Sequence, residues 1–424
     1  MAEERDIPEE LLRFFKDEYG KSIVIKGKPG TGKTIFALTL LSILRGNGIY
    51  LSTRVDPEML YETCPWIKGE ISKENVLDAT QSERPAARRR VTTIKPLKYT
   101  DVPEFLREVY ERTENMKNPI VIIDSWDAVA THTGYYEPRD REKLEHNLCD
   151  FARKTGTKMI FIVEYTEQKP LDYLVDGVVI TENIVSDDRI LRKMFIQKLR
   201  GCEIRNPFSL FTLKGGKFKA FKFESLRQKL RNLREAVPAP PIEDLSERRI
   251  STGVPALDEV LGGYGHLNML KGDFLAARLL LQVAALNALN LGRSVIVAEE
   301  RAEMIDEIMP FVSEANRDKV RAVREFNKEM GENALLLMDI ADIGMKIGDF
   351  ASVLRSRKCF ALCYASKTDA EAEKVASAVA SVVLQTSQFA GVPCVCGETP
   401  RTGFFALEWD VSAGFPALKA TPIE

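Results

Sequence analysis

The chain has 424 residues, of which 45% are hydrophobic and 29% charged, and its formal net charge is −2. This length exceeds what one hydrophobic core supports and predicts two domains, while the near-neutral charge excludes a global positive field for nucleic acid. The polar N-terminal residues and the absence of a long apolar run predict a cytoplasmic protein without a signal peptide or membrane contact.

The first motif along the chain is a phosphate-binding loop. Residues 22–25 form a short apolar β-type segment, and a helix-length apolar run occupies residues 35–44. A strand, a glycine loop and a helix in this order point backbone N–H groups and a helix N-terminus at a phosphate chain. The residues between them, which we expect to bind the nucleotide, are Gly27, Lys28, Pro29, Gly30, Thr31, Gly32, Lys33 and Thr34.

Two side chains of this loop have expected roles in binding ATP and Mg²⁺. Lys33 is expected to reach the β- and γ-phosphates, and the Thr34 hydroxyl to ligate Mg²⁺. The sequence leaves ATP and GTP open as the preferred nucleotide.

The next motif is a buried strand that ends in an acid. Strands and helices alternate through the first half, which predicts a parallel sheet with helical crossovers. Residues 120–123 are all β-branched and Asp124 follows them. A strand covered on both faces is apolar throughout, and its C-terminal carboxylate emerges beside the phosphate loop. This Walker B pattern predicts that Asp124 helps to hold the Mg²⁺.

Further strands follow in the same half. Residues 158–163 predict a strand after which Glu164 stands at the same edge of the sheet, and residues 190–198 and 208–213 predict an antiparallel pair. Gly215 and Gly216 predict a hairpin turn that leads to a last segment over 218–221.

The motifs together resemble the KaiC branch of the RecA-type ATPases. The resemblance rests on the phosphate loop, on the run ending in Asp124, on Glu164, and most on Gln197-Lys198-Leu199-Arg200-Gly201. It implies an α/β fold of two RecA/KaiC-like P-loop NTPase-type domains, with mainly parallel central sheets flanked by helices. It also implies that the protein forms a homo-oligomer, and a hexameric ring is one such assembly.

The same resemblance implies roles for two cations. In KaiC-type proteins the Lys and Arg of this motif reach the γ-phosphate held by a neighbouring subunit. By match, Lys198 and Arg200 would be catalytic groups supplied in trans, and two cations aimed at phosphate oxygens suit that chemistry. The alternative is a pair of solvated strand residues.

A proline-rich segment separates the two halves. A leucine-spaced helix is predicted over 225–236 and the run VPAPP begins at residue 237. We therefore expect an ATP-binding domain over 1–236, a linker over 237–243 and a second domain over 244–424.

The second domain is expected to be degenerate. Residues 251–263 are similar to the opening segment of KaiC-like domains, yet residues 270–278 read LKGDFLAAR and lack the Gly-Lys-Thr of a phosphate loop. The segment 359–366, taken as the counterpart of the Walker B strand, has no terminal acid. This domain is therefore predicted to keep the fold without a nucleotide site and to serve assembly or partner binding.

The first domain lacks the residues that supply the catalytic base in KaiC-like domains. KaiC-like domains end their second strand with a Glu pair, which the second domain keeps as Glu299 and Glu300, whereas the first domain has Arg54 and Val55. Asp56 or Glu164 remains as the candidate base, and slow ATP hydrolysis is the expectation.

Two segments are candidate interaction surfaces. The run Arg84–Arg90 reads RPAARRR, which fits a solvated loop, a contact with an acidic protein, or nucleic acid. Residues 133–139 contain two tyrosines and an arginine that could stack on bases, but the acidic charge balance disfavours DNA.

A second resemblance, mainly within the first hundred residues, rests on residues 7–10 ahead of 13–15, on residues 50–55 and on residues 64–67. These segments resemble the archaeal gas-vesicle regulatory protein D group, whose members carry an arginine-rich segment, which Arg88–Arg90 would match, and bind a regulatory protein. The sequence thus favours a KaiC-like ATPase switch that controls a protein partner. A DNA-binding recombinase paralogue and a gas-vesicle-type repressor are the alternatives.

The seven scattered cysteines predict core packing in a reducing compartment and no metal site.

Overall fold

The computed structural model describes residues 6–16, 19–44, 48–52, 57–69, 72, 75–78, 111–132, 137–231, 233–326, 330–365 and 370–424. The chain divides into two compact units, the first comprising Met1–Phe221 with Glu424 and the second Lys222–Ile423. The assignment of 1–236 and 244–424 to two domains joined by a linker stays a prediction.

The strands of the first unit form one nine-stranded sheet in the order β3-β2-β4-β5-β1-β6-β7-β8-β9. Neighbours are parallel from β3 to β6 and antiparallel from β6 onward. The strands are β1 (Lys21–Lys26), β2 (Gly48–Ser52), β3 (Val76–Asp78), β4 (Ile120–Asp124), β5 (Lys158–Val163), β6 (Gly177–Ser186), β7 (Arg189–Leu199), β8 (Phe208–Thr212) and β9 (Lys219–Ala220).

Helices cover both faces of this sheet. Ile25 of β1 belongs to a core cluster with Phe36, whereas its neighbour Val24 belongs to another cluster with Leu148. Successive strand residues point to opposite faces, so a strand covered on both sides is apolar at every position. The α-helices in the described part of the first unit include Glu9–Lys16, Lys33–Ile43, Pro57–Thr63, Trp126–His132, Pro138–Thr155 and Pro170–Leu174.

The second unit repeats the topology. Its nine-stranded sheet has the order β12-β11-β13-β14-β10-β15-β16-β17-β18, which is the order of the first sheet when strands are counted within each unit. The strands are β10 (Leu267–Gly272), β11 (Ser294–Ala298), β12 (Val320–Val323), β13 (Ala334–Asp339), β14 (Phe360–Ala365), β15 (Val382–Phe389), β16 (Val392–Thr399), β17 (Phe404–Asp410) and β18 (Ala417–Pro422). Its helices include Leu226–Leu230, Pro255–Leu261, Phe274–Asn290, Glu303–Asp306, Ile347–Ser356 and Ala370–Val379.

The predicted fold class is confirmed: two mainly parallel sheets are flanked by helices, as in RecA-like P-loop domains. The helix predicted over 225–236 is shorter and ends at Leu230, and its Leu226 is buried in the core of the second unit. Among the described residues, no helix has the length and apolar character needed to cross a membrane.

Candidate nucleotide site

The phosphate loop, Gly27–Thr34, lies at the carboxyl end of the parallel strands of the first unit. It follows the last residue of β1, and the helix after it, which we call the loop helix, is Lys33–Ile43. Ligands of open α/β sheets bind at this end. Gly32 caps the loop helix with a φ of 89°, and a Cβ there would lie 2.8 Å from Leu213 Cδ1. This position therefore requires glycine.

The Lys33 ammonium is held inside the curve of the loop. Its Nζ donates to the carbonyl oxygens of Gly27 at 2.8 Å and Lys28 at 2.9 Å, and the side chain is buried. A buried cation next to the N-terminus of an eleven-residue helix makes this pocket attractive to an anion.

Asp124 meets the loop as the sequence predicts. The Thr34 hydroxyl donates to Asp124 Oδ2 at 2.6 Å, so the two residues expected to hold Mg²⁺ are in contact. Asp124 reaches this place because β4 lies between β2 and β5, and its last residue is level with Ser52 and Ile162.

Tyr50 is a second partner of Asp124 that sequence reasoning missed. Its hydroxyl donates to the same Oδ2 at 2.7 Å. Burial, followed by the adjacent Asp124 charge, raises the pKa of Tyr50 well above its ordinary value. The phenol therefore keeps its proton throughout the physiological pH range and donates a hydrogen bond to Asp124. A tyrosine in the middle of an apolar strand carries no sequence signal of this role.

Glu164 lies at the same sheet edge, immediately after β5. Its backbone N–H donates to Asp127 Oδ2 at 3.1 Å, and Asp127 Oδ1 accepts from Arg141 Nη2 at 2.9 Å. Arg141 Nε in turn donates to Glu145 at 2.9 Å. Glu164 is therefore attached to two helices through an ion-pair network that the sequence analysis did not identify.

Lys198 and Arg200 lie away from the loop of their own chain. β7 runs antiparallel to β6, so Leu199 pairs with Gly177 at the start of β6, whereas the loop follows the end of β1. Lys198 Nζ donates to the carbonyls of Asp172 at 2.9 Å and Val175 at 2.6 Å. The structure does not bring these cations to the loop within one chain, and their role in trans stays a prediction.

The matching place in the second unit has no phosphate loop. β10 ends at Gly272, and a helix begins at Phe274. The single residue between them, Asp273, accepts the Ala276 N–H at 3.0 Å and caps that helix with a carboxylate. An acidic cap instead of free N–H groups repels a phosphate.

The prediction for the second Walker B strand was wrong. The segment 359–366 forms β14, which matches β5, and the counterpart of β4 is β13. β13 does end in an acid, Asp339, which pairs with Arg301 at 2.8 Å. Residues 334–338 are an apolar run followed by Asp339, so the local pattern was present in the sequence, and the sheet order assigns the Walker B place to this run and not to the segment 359–366.

Some predicted site residues lie outside the described part of the chain. These are Asp56 with Arg54 and Val55, the Arg84–Arg90 segment, and residues 133–136 of the tyrosine loop. Within the described residues, no group of three or more His, Cys, Asp or Glu side chains could hold a metal ion.

Comparison with known proteins identifies relatives of this chain. Residues 11–200 match the family model described as GvpD gas vesicle protein, P-loop domain. The chain is 31% identical over 263 residues to Protein GvpD2 of Halobacterium salinarum, covering 60% of this chain and 52% of that protein. It is 29% identical over 273 residues to Protein GvpD1 of the same organism, covering 63% and 50%.

A more distant relative is the circadian clock protein KaiC3 of Synechocystis sp., at 25% identity over 265 residues, covering 57% of this chain and 47% of that protein. The chain spans about half the length of the curated relatives it matches. The resemblance to KaiC-like RecA-superfamily P-loop proteins and to the GvpD group is confirmed, and the GvpD match extends beyond the first hundred residues to residue 200.

Proposed function

We propose that the first unit binds Mg-ATP at the phosphate loop, hydrolyses it slowly, and acts as a regulatory switch that controls a protein partner or an assembly. The observation that supports this most is the 2.6 Å contact between the Thr34 hydroxyl and the Asp124 carboxylate, beside the buried Lys33 ammonium. Thr34 and Asp124 are 90 positions apart in the chain, so the fold is what brings the hydroxyl and the carboxylate into contact.

The residues present suit a magnesium nucleotide. Mg²⁺ prefers oxygen ligands, and Thr34 and Asp124 supply a hydroxyl and a carboxylate at one point. Bound there, Mg²⁺ would neutralise charge on the β- and γ-phosphates. Lys33 would exchange its two loop carbonyls for phosphate oxygens, which are stronger acceptors.

Slow hydrolysis is supported by the residues available as a base. Glu164 lies at the edge of the sheet that carries the phosphate loop, and its backbone N–H donates a hydrogen bond to Asp127. The first unit has Arg54 and Val55 where KaiC-like domains carry a Glu pair. A single carboxylate, Glu164 or Asp56, is then left to orient water, which suits a switch more than a fast enzyme.

The second unit supports a role in assembly or partner binding. It keeps the nine-stranded topology, while Asp273 replaces the loop and Arg301 pairs with Asp339. Assembly of identical chains would allow Lys198 and Arg200 of one subunit to reach the nucleotide of the next.

A second candidate is a repressor that acts through contact with a regulatory protein, and the GvpD match over residues 11–200 favours it. The two candidates share nucleotide binding and differ in what the bound state controls. Pull-down from native lysate, with and without a non-hydrolysable ATP analogue, separates a regulatory protein from an assembly of identical chains.

The direct test of the proposed function is calorimetric titration of the full chain with Mg-ATP and, separately, Mg-GTP. We expect one equivalent per chain for the wild type and no binding by Lys33→Ala. Binding of a second equivalent would place a nucleotide in the second unit and contradict the proposal, as would unchanged binding by Lys33→Ala.

A further inference from the structure

The phosphate loop is held from one side by the β6–β7 hairpin. Arg192 Nη1 donates to the Gly30 carbonyl at 3.1 Å, and Asn183 Nδ2 lies 3.4 Å from the same oxygen. The Thr181 and Thr31 hydroxyls are 2.9 Å apart. Three side chains of the hairpin therefore contact two consecutive residues of the loop, and none of the three was identified from the sequence.

The geometry of the hairpin explains why these side chains act together. Asn183 and Arg192 are directly opposite each other in the antiparallel register, and Arg192 Nη1 also donates to Asn183 Oδ1 at 2.9 Å. Thr181 precedes Asn183 by two positions, so it lies on the same face of the sheet. Arg192 thus connects Asn183 and the Gly30 carbonyl in one hydrogen-bond network.

Building on the nucleotide binding proposed above, we infer that Arg192 and Asn183 are positioning residues for the phosphate loop. The Gly30–Thr31 peptide bond is not among the cis bonds of the described chain, and in a trans peptide the C=O and the N–H point in opposite directions. Holding the Gly30 carbonyl on the hairpin side therefore turns the Thr31 N–H to the other side, toward the phosphates.

The Thr31 N–H is available for this role. It donates to the Lys28 carbonyl at 3.4 Å, which is long for a backbone hydrogen bond and easily exchanged for a phosphate oxygen. Within the loop, Arg192 and Asn183 contact only the backbone, at the Gly30 carbonyl, so they set how the loop presents its donors. Arg192 Nε also donates to the carbonyl oxygen of Glu424, a contact that Asn183→Ala leaves in place. They consequently govern nucleotide affinity more than the rate of the chemical step.

The test compares Arg192→Met, Arg192→Lys and Asn183→Ala with a matched control in the full chain. Lys193→Met is that control, since Lys193 is the next cation on β7, points to the opposite face and lies 3.9 Å from the centroid of the Phe208 ring. The probe is a fluorescent ATP analogue with Mg²⁺, and turnover at saturating ATP is measured in parallel.

We expect Arg192→Met to raise Kd about tenfold, in the range for losing a hydrogen bond from a charged group. Arg192→Lys should recover most of the affinity, because an ammonium can still donate to Gly30. Asn183→Ala should raise Kd about threefold, and Lys193→Met should leave it unchanged. Turnover at saturation should stay within about twofold of the wild type in all four variants.

The outcomes separate this inference from the proposed function. A wild type that binds no nucleotide overturns both. A wild type that binds, with Arg192→Met and Asn183→Ala no weaker than Lys193→Met, overturns the inference and leaves the function standing. If Arg192→Met is unstable to heat, Asn183→Ala alone decides, and an unchanged Kd in that variant overturns the inference.

Discussion

Arg301 and Asp339 form a 2.8 Å ion pair at the sheet edge of the second unit that corresponds to the nucleotide edge of the first. The guanidinium also lies over the rings of Phe274 and Tyr364, 5.7 and 5.4 Å from their centroids. Asp339 is the topological counterpart of Asp124. Asp124 accepts a hydrogen bond from the hydroxyl of Thr34, the last residue of the phosphate loop. Asp339 instead accepts from the Arg301 guanidinium.

This ion pair predicts a local loss of stability when it is broken. Arg301→Met removes the cation that contacts Asp339 Oδ2, a carboxylate whose side chain is 9% exposed. We expect the free energy of unfolding of the second unit to fall by about 1–3 kcal/mol, below the loss for a fully buried pair because both side chains keep some solvent access. Hydrogen exchange of β13 in urea is the measurement.

The control for that experiment is Arg324→Met, which removes another arginine–carboxylate pair of the same unit. Arg324 contacts Glu299, but its side chain is 85% exposed, so we expect no measurable change in the free energy of unfolding. Equal effects of the two variants would show that the Arg301–Asp339 pair contributes no more than a surface contact.

Asp124→Asn is predicted to remove the magnesium dependence of nucleotide binding. An amide keeps the shape of the side chain but loses the charge that favours Mg²⁺. We expect the affinity for ATP with Mg²⁺ to fall about tenfold or more, and the affinity in EDTA to remain that of the wild type. Tyr50→Phe is the control, because it removes a 2.7 Å bond to the same oxygen and leaves the carboxylate. Retained magnesium dependence in Asp124→Asn would exclude Asp124 as the metal-binding acid.

The sequence was sufficient where local patterns decide the structure. The phosphate loop, the helix Lys33–Ile43 that follows it and the strand ending in Asp124 follow from glycine spacing and apolar runs. The second sheet was expected from the opening segment at residue 251. These features depend on neighbours in the chain, which a single sequence displays.

The sequence was insufficient where a contact depends on register or strand order. Arg192 reaches Gly30 only because β7 folds back along β6 with Asn183 opposite Arg192. Two apolar runs of the second half, 334–338 and 359–366, compete for the Walker B place, and only the strand order assigns it to the run that ends in Asp339. Arg192 and Gly30 are 162 positions apart, and no spacing rule indicates their contact.

Turnover is predicted to be slow, below about one per second at saturating ATP, because the KaiC-type Glu pair is absent from the first unit. Removing a positioned base typically costs about 10²–10⁴-fold in rate. If Glu164 is that base, Glu164→Gln should lower the remaining rate by such a factor without changing nucleotide affinity. Asp56→Asn is measured beside it, and a large loss in that variant with none in Glu164→Gln would assign the role to Asp56.

Lys198 and Arg200 are predicted to complete the site of a neighbouring subunit. In its own chain Lys198 donates to the carbonyls of Asp172 and Val175 at the C-terminal end of the helix Pro170–Leu174. Burial, then the nearby Arg200 charge, lowers the pKa of its amine. Mixing Lys33→Ala chains with Arg200→Ala chains should restore part of the ATPase activity, since one mixed interface then carries an intact loop and an intact arginine. Mixing either variant with itself is the control. No recovery at any ratio would leave the two cations with a structural role at the helix end.

The last prediction concerns the partner. The segment Arg84–Arg90 lies outside the described residues, but it is a dense cationic run in a chain whose net charge is −2. Useful affinity for DNA requires several phosphate contacts, each of which adds to a steep salt dependence, and three adjacent arginines cannot follow a duplex. They can pair with a few carboxylates of an acidic protein surface. We therefore expect weak binding of single- and double-stranded DNA at physiological salt, and loss of protein capture when Arg88, Arg89 and Arg90 are changed to Ala. Sub-micromolar, ATP-dependent DNA binding that is lost in the same variant would instead favour the DNA-binding ATPase.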